Sequence, residues 1–351
     1  MATKSSTQAV RRSPAVQVDL ALQGGGSHGA FAWGVLDRLI EEEGLAIEAI
    51  SGTSAGAMNA AVFAHGMQAG GPDGARSALR LFWRRVSQAA AYSPFQRTPL
   101  DRLTGNWSLD HSPGYLMADV ISRLVAPGSF GNLAVESNPL RRILEDTIDF
   151  PALATAPIKL FITATNVRTG RGRVFRSHEI SADVLLASAC LPTIYQPVEI
   201  DGEHYWDGGF AGNPTITPLV QECESRDTIL VQVNPISRPD IPRSAREIIN
   251  RTNEVSFNAC LLKELKMIAL LREVADPGNG AGRRWSEMRL HRVSKDLMRR
   301  LSASSKLNAE WAFLEMLHGE GRSAADTFLR DCGDRIGRSS TFDFESFVTD
   351  I

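Results

Sequence analysis

An α/β fold with a mostly parallel central sheet is predicted by two observations. Near the start of the chain, an apolar strand runs through a glycine-rich turn into a helix, and the pattern then repeats at once. Further apolar segments of strand length follow, separated by helical stretches. The chain has 351 residues, enough for one large α/β domain or two small ones. A core of that size forms without disulfide or metal support.

Residues 1–15 read as a disordered tail, rich in Ser, Thr, Lys and Arg. Met1 to Pro14 holds no apolar segment, so no secretory leader is expected. Val16 to Leu22 reads as a short buried strand. Ala30 to Glu43 carries Phe31, Val35, Leu36, Leu39 and Ile40 at helical spacing and stops before Gly44. Ile47 to Ser51 reads as a second strand and Ala55 to His65 as a second helix. Gly70 to Gly74 is expected to be a loop, and Leu79 to Val86 a helix. Ser93 to Phe130, with scattered Pro, Gly and Trp, reads as an irregular excursion with room to cover a site. Helices are expected at Leu140 to Ile148 and Ser181 to Ala189, and strands at Leu160 to Val167 and Thr228 to Val233.

After Pro242 the pattern turns helical. Phe257, Leu261, Leu265 and Ile268 share one helix face, which Glu264 and Arg272 interrupt. That face reads as core-facing, with a membrane surface as the alternative. Asn308 to His318 and Ala324 to Cys332 also read as amphipathic helices. The expected division is a motif-bearing domain at 16–235 and a helical extension at 236–351 packed on the same domain.

A formal net charge of -2 gives no footprint for nucleic acid. No run reaches the ~18 apolar residues of a spanning helix, so any membrane contact is expected to be peripheral. Arg283, Arg284, Arg289, Arg292, Arg299 and Arg300 form a basic run that suits a solvated face or anionic lipid, with Glu287 and Asp296 interrupting it. Cys190, Cys223, Cys260 and Cys332 are far apart and show no C-x-x-C. They read as buried reduced thiols of a cytoplasmic protein.

Three glycine-rich pieces carry the chemistry. Gly52-Thr53-Ser54-Ala55-Gly56 joins a strand to a helix, the context of a nucleophile elbow. Gly24-Gly25-Gly26-Ser27-His28-Gly29 also joins a strand to a helix, and its backbone N–H groups suit an oxyanion hole. Asp207-Gly208-Gly209 offers a carboxylate in a turn. An Asp at its ordinary value of ~3.9 is a poor base in water. In a dry pocket it becomes a better proton acceptor. A nucleophile, a base and an anion cradle are the parts of serine acyl transfer.

Rival readings exist for each piece. Gly24, Gly26 and Gly29 also fit the dinucleotide pattern G-x-G-x-x-G, but the expected acid at the end of the second strand is missing. Ser54, Asp207 and His291 or His318 stand in the chain order of an α/β-hydrolase triad, yet too few strands precede Ser54 for that fold. His28 suits either a substrate contact or a helix-face role.

Together these residues resemble the patatin-like phospholipases, serine acyl hydrolases with a Ser-Asp dyad. The resemblance runs from Val18 to Leu219 and includes Ala187-Ser188-Ala189-Cys190-Leu191-Pro192 as the family's A-S-x-x-x-P block. It implies a three-layer α/β/α sandwich, no metal or other cofactor, and lipid acyl hydrolase activity on a phospholipid or other acyl ester. It implies Ser54 as nucleophile, Asp207 as base, and the N–H groups of Gly25, Gly26 and Ala55 as oxyanion hole. Gly24, Gly29, Gly52, Gly56, Gly208 and Gly209 support these motifs. Two departures stand out: His28 replaces a frequent Arg or Lys, and Asn213-Pro214 lacks the usual spacer, so Asn213 is given no catalytic role. The alternative is a catalytically idle lipid-binding or regulatory protein on the same fold. Acyl chain, head group and oligomeric state are not legible.

Overall fold

The structure is a computed structural model that describes residues 15–117, 138–192, 194–278 and 280–349. The expected tail, apart from residue 15, and the 118–130 part of the expected excursion lie outside the described residues.

The chain folds as an α/β protein around a mostly parallel sheet. In order along the chain are β1 (Val16–Leu22), α1 (Gly29–Leu39), β2 (Leu45–Gly52), α2 (Ala55–Ala90), β3 (Lys159–Asn166) and β4 (Gly172–Arg176). Then come α3 (Ala182–Ser188), β5 (Val198–Ile200), β6 (Glu203–Asp207), α4 (Thr217–Glu222) and β7 (Asp227–Val231). The last third supplies α5 (Ala245–Val274), β8 (Arg289–Val293) and α6 (Trp311–Cys332). Strand order is β5-β6-β3-β2-β1-β7-β8, with β4 also paired to β3. The pairs β1–β2, β1–β7, β2–β3 and β7–β8 are parallel; β3–β4, β3–β6 and β5–β6 are antiparallel.

The two-residue period of β1 explains the layers. Val18, Leu20 and Leu22 join a core with α1, α2 and α6, while Ala21 joins one with α4 and α5. Both faces of the sheet are thus covered, which is why its central strands read as continuous apolar runs. Leu261, Leu265 and Ile268 of α5 are buried in the second core, so that helix face packs inward. Glu264 stays on this face because its carboxylate accepts the N–H groups of Ile216 and Thr217 at 2.8 and 2.7 Å and caps α4.

Several expectations need correction. The 236–351 segment is not only helical: Arg289–Val293 pairs with β7 as an edge strand. Its alternation is masked by polar residues that are buried in pairs, His291 and Arg289 both meeting Asp227. The expected loop at Gly70 to Gly74 shrinks to two non-helical residues, Gly70 and Gly71, before Pro72 restarts the helix. The two helices expected after Asn308 are one, α6. Cys190 and Cys223 are buried free thiols, but Cys260 and Cys332 are only partly so. The arginines of the basic run have separate partners, among them Glu287 for Arg283, Asp227 for Arg289 and the Phe342 ring for Arg292.

α1 and α6 meet backbone to backbone. A Cβ on Gly34 would lie 1.9 Å from the His318 carbonyl oxygen, and one on Gly321 2.0 Å from that of Phe31. Beside this crossing Asp37 is buried. Its burial raises the carboxyl, but hydrogen bonds from His318, Arg76 and Arg322 outweigh that and hold it well below the usual carboxylate range.

Candidate active site

β1 goes to β2 on one side, whereas β7 lies on its other side. Loops leaving the carboxyl ends of β1 and β7 therefore diverge, and such a switch point is the usual ligand position of such sheets. The three glycine-rich pieces meet around Thr53: a Cβ on Gly24 would lie 2.6 Å from its carbonyl oxygen and one on Gly208 3.0 Å from its Cγ2.

The elbow follows β2 directly. Ser54 has φ 54° and ψ -122°, one of two described non-glycine residues with positive φ. Such a conformation costs of order 1–3 kcal/mol and persists only when its surroundings over-determine it. Here they do. A Cβ on Gly56 would lie 2.2 Å from the Leu22 carbonyl oxygen, and one on Gly52 2.6 Å from that of Gly56. Ser54 N–H donates to Ser188 Oγ at 2.9 Å, and Ser188 Oγ donates to the Thr163 carbonyl at 2.7 Å. Thr53 Oγ1 donates to the Gly212 carbonyl at 2.7 Å.

Asp207 closes β6 and pairs in register with Ala164. It is 3% exposed. Its carboxylate accepts the Gly209 N–H at 2.7 Å, and Ser54 lies close enough to favour its charged form. Burial pushes the carboxyl up to about 7, with the Gly209 N–H, Ser54 and Lys306 opposing that rise. A Cβ on Gly208 would lie 2.0 Å from the Thr163 carbonyl oxygen, and one on Gly209 2.2 Å from the Phe257 ring. The two glycines let the turn fit between β3 and α5.

The loop after β1 lies over the elbow: a Cβ on Gly24 would be 2.6 Å from the Thr53 carbonyl oxygen. Gly26 has φ 58°, the left-handed region that favours glycine. Gly24 N–H donates to Asn213 Oδ1 at 2.7 Å, and the Gly24 carbonyl accepts from Asn234 Nδ2 at 2.6 Å. Among the described residues the N–H groups of Gly25 and Gly26 have no hydrogen-bond acceptor. Ala55 opens α2, so its N–H has no partner within the helix.

Ser54, Asp207 and the loop thus come together; the histidines do not join them. His291 Nε2 is 2.9 Å from Asp227 Oδ1, and His318 Nε2 is 3.0 Å from Asp37 Oδ2. His28 is buried, with Nε2 2.8 Å from Ser305 Oγ. β2 ends at Gly52 without an acid, as the argument against a dinucleotide site required.

Three supporting residues escape a reading of the sequence. Asn213, Asn234 and Gln23 brace the loop, Gln23 Oε1 accepting the N–H groups of Val233 and Asn234 at 2.9 and 2.8 Å. The one available signal was Gln23 itself, a buried amide ending an apolar strand. Ser188 was placed in a motif without a role; it holds the elbow.

A family model described as patatin-like phospholipase matches residues 20–220, more than half of the chain. VipD from Legionella pneumophila is similar in structure at 14% identity and TM-score 0.42, with 89% of this chain and 66% of that one covered. The ExoU–SpcU heterodimeric complex of the type III secretion system of Pseudomonas aeruginosa is similar at 18% identity and TM-score 0.29, with 93% and 61% covered. The chain thus spans less than two thirds of either of those chains. Among curated protein sequences no significant match is found. No described helix is long and apolar enough to cross a membrane. With its motifs brought together and the family model matching over 20–220, the chain belongs to the patatin-like phospholipase family.

Proposed function

We propose that this protein is a serine acyl hydrolase that cleaves fatty-acyl esters of phospholipids or related lipids, with no metal in the step. The observation that carries the reading is the meeting of Ser54, on a strained turn, with a buried Asp207 whose carboxyl is pushed up to about 7. Asp207 accepts the hydroxyl proton as Ser54 Oγ bonds to the ester carbonyl carbon. The carbonyl π electrons move to oxygen, and the Gly25, Gly26 and Ala55 N–H groups hold that oxyanion. As the tetrahedral species collapses, the alkoxide leaves with the proton from Asp207, and the acyl group stays on Ser54. Water then attacks the acyl-enzyme. Asp207 takes its proton and returns it to Ser54 as the fatty acid departs. A base near 7 suits proton transfer at neutral pH.

A fluorophosphonate probe with mapping of the adduct tests this reading. The expected result is labelling of Ser54 that is lost in Ser54→Ala and Asp207→Ala, together with ester hydrolysis. A folded Ser54→Ala protein with full esterase activity would sink the proposal. A folded wild-type protein that neither labels nor hydrolyses lipid esters would point to the catalytically idle alternative.

A further inference from the structure

The loop that cradles the oxyanion is braced by a residue far outside the family match. His28 brings no charge to it. Ser305 Oγ donates its one proton to the Ser302 carbonyl at 2.7 Å, so it accepts from His28 Nε2. Among the described residues the buried Nδ1 has no hydrogen-bond partner to accept a proton from it. Burial holds the ring well below its ordinary value, in agreement with a neutral imidazole.

The cation arrives on the next residue. Lys306 Nζ donates to Asn234 Oδ1 at 2.7 Å. Asn234 Nδ2 in turn donates to the Gly24 carbonyl at 2.6 Å. The Lys306 backbone carbonyl also packs on Gly26, where a Cβ would lie 2.4 Å from it. We propose that Lys306 is a positioning residue of the catalytic centre: through Asn234 it fixes the Gly24–Gly25 peptide and so aims the Gly25 N–H at the oxyanion. The inference rests on the acyl-hydrolase reading above.

Two pieces of geometry make the case. A peptide unit is planar and trans, so its C=O and N–H point in opposite directions. Whatever holds the Gly24 carbonyl therefore aims the Gly25 N–H. An amide side chain can turn either end toward a neighbour, and a purely donating ammonium selects its oxygen. Lys306 on Oδ1 leaves only the Nδ2 end to face the Gly24 carbonyl. Without Lys306, the flipped amide would set oxygen against oxygen and release the peptide.

Charge gives a second readout. Burial lowers the Lys306 ammonium from its ordinary value, and Glu254, Arg238, Asp207 and the neutral His28 face it. Asp207 faces Lys306, Ser54, the Gly209 N–H and the Cys190 thiol. Removing the ammonium removes a field that favours the Asp207 carboxylate.

The test is hydrolysis of an uncharged short-chain p-nitrophenyl ester across pH, with fluorophosphonate labelling rates, for wild type, Lys306→Met, Lys306→Arg and Asn234→Asp. Lys306→Met is expected to lose roughly 10- to 100-fold in kcat, the scale of a misaimed catalytic group, with KM unchanged. Its acid limb should move to higher pH, and Lys306→Arg should restore the limb and part of kcat. A folded Lys306→Met protein with wild-type kcat and acid limb overturns the inference alone. Should Lys306→Met not fold, Asn234→Asp decides. It keeps an oxygen for Lys306 but presents a second oxygen to Gly24, so an unchanged kcat overturns the inference. A wild-type protein with no label at Ser54 overturns the reading it rests on, and the inference with it.

Discussion

The turns after β1 and β2 are alike in sequence and unlike in what shapes them. Each leaves a parallel strand through glycines and opens a helix. The turn after β2 is set chiefly by glycine packing on its own unit, Gly52 on Gly56 and Gly56 on Leu22, with Ser188 and the Gly212 carbonyl each adding one hydrogen bond around the strained Ser54. The turn after β1 is set from a distance, by Asn213, Asn234 and the Lys306 carbonyl. The difference follows from the tasks proposed for them. A nucleophile is one side chain, and one rigid elbow can aim it. An oxyanion cradle is a set of peptide N–H groups, and a glycine-rich loop holds those only if other segments grip it.

The sharpest way to break this contrast is to fill one glycine in each turn. Gly56→Ala drives a Cβ to 2.2 Å from the Leu22 carbonyl and should destabilise the fold by about 3 kcal/mol or more. Gly26→Ala meets the Lys306 carbonyl and a positive φ, but at an exposed loop position rather than between two core elements. It should lose less stability and roughly 100-fold in kcat, the scale of a lost oxyanion donor. Urea denaturation and ester hydrolysis on both variants check this. The contrast fails if Gly56→Ala is the better folded protein and the poorer catalyst.

Ser188→Ala probes the elbow more gently. It strips a partner from the part-buried Ser54 N–H and from the buried Thr163 carbonyl. The expected loss is about 1–3 kcal/mol of stability, with a lower labelling rate at Ser54 as the strained backbone relaxes. A labelling rate equal to wild type would mean that the glycine packing alone holds the elbow.

The smallest effect concerns Asp207 and runs opposite to activity. Its folded value of about 7 lies above the ordinary 3.8. The folded state therefore holds the proton more tightly, and stability falls as pH rises from about 4 through 7. Asp207→Asn should abolish hydrolysis yet melt higher than wild type at pH 8, with the gain shrinking toward pH 5. Equal melting temperatures at pH 8 would show that the carboxylate is not destabilising in place.

Both strand–turn–helix units, the strands at β3 and β7 and the core face of α5 were legible because each is a local pattern of apolar residues and glycines. β8 was not, because His291 and Arg289 look like surface residues until Asp227 is placed beside them. The break at Gly70–Gly71 was overestimated because Pro72 both ends one helix and starts the next. Ser54, Asp207 and the three glycine runs stood out for a similar reason: the chemistry proposed for them demands special backbone at those positions, and glycine marks it. Asn213, Asn234 and Lys306 carry no such mark, since an amide or an ammonium becomes a brace only by proximity.

The sequence by itself therefore determined the α/β class, the two opening strand–turn–helix units, the family and the residues proposed to make and break bonds. Each is written in short-range spacing, where one residue restricts its neighbours' backbone. Only the tertiary structure decided which histidines stand outside the site, how far Asp207 is desolvated, and which distant side chains hold the loop after β1. Those outcomes depend on burial and on contacts between residues some two hundred positions apart, and no local pattern records them.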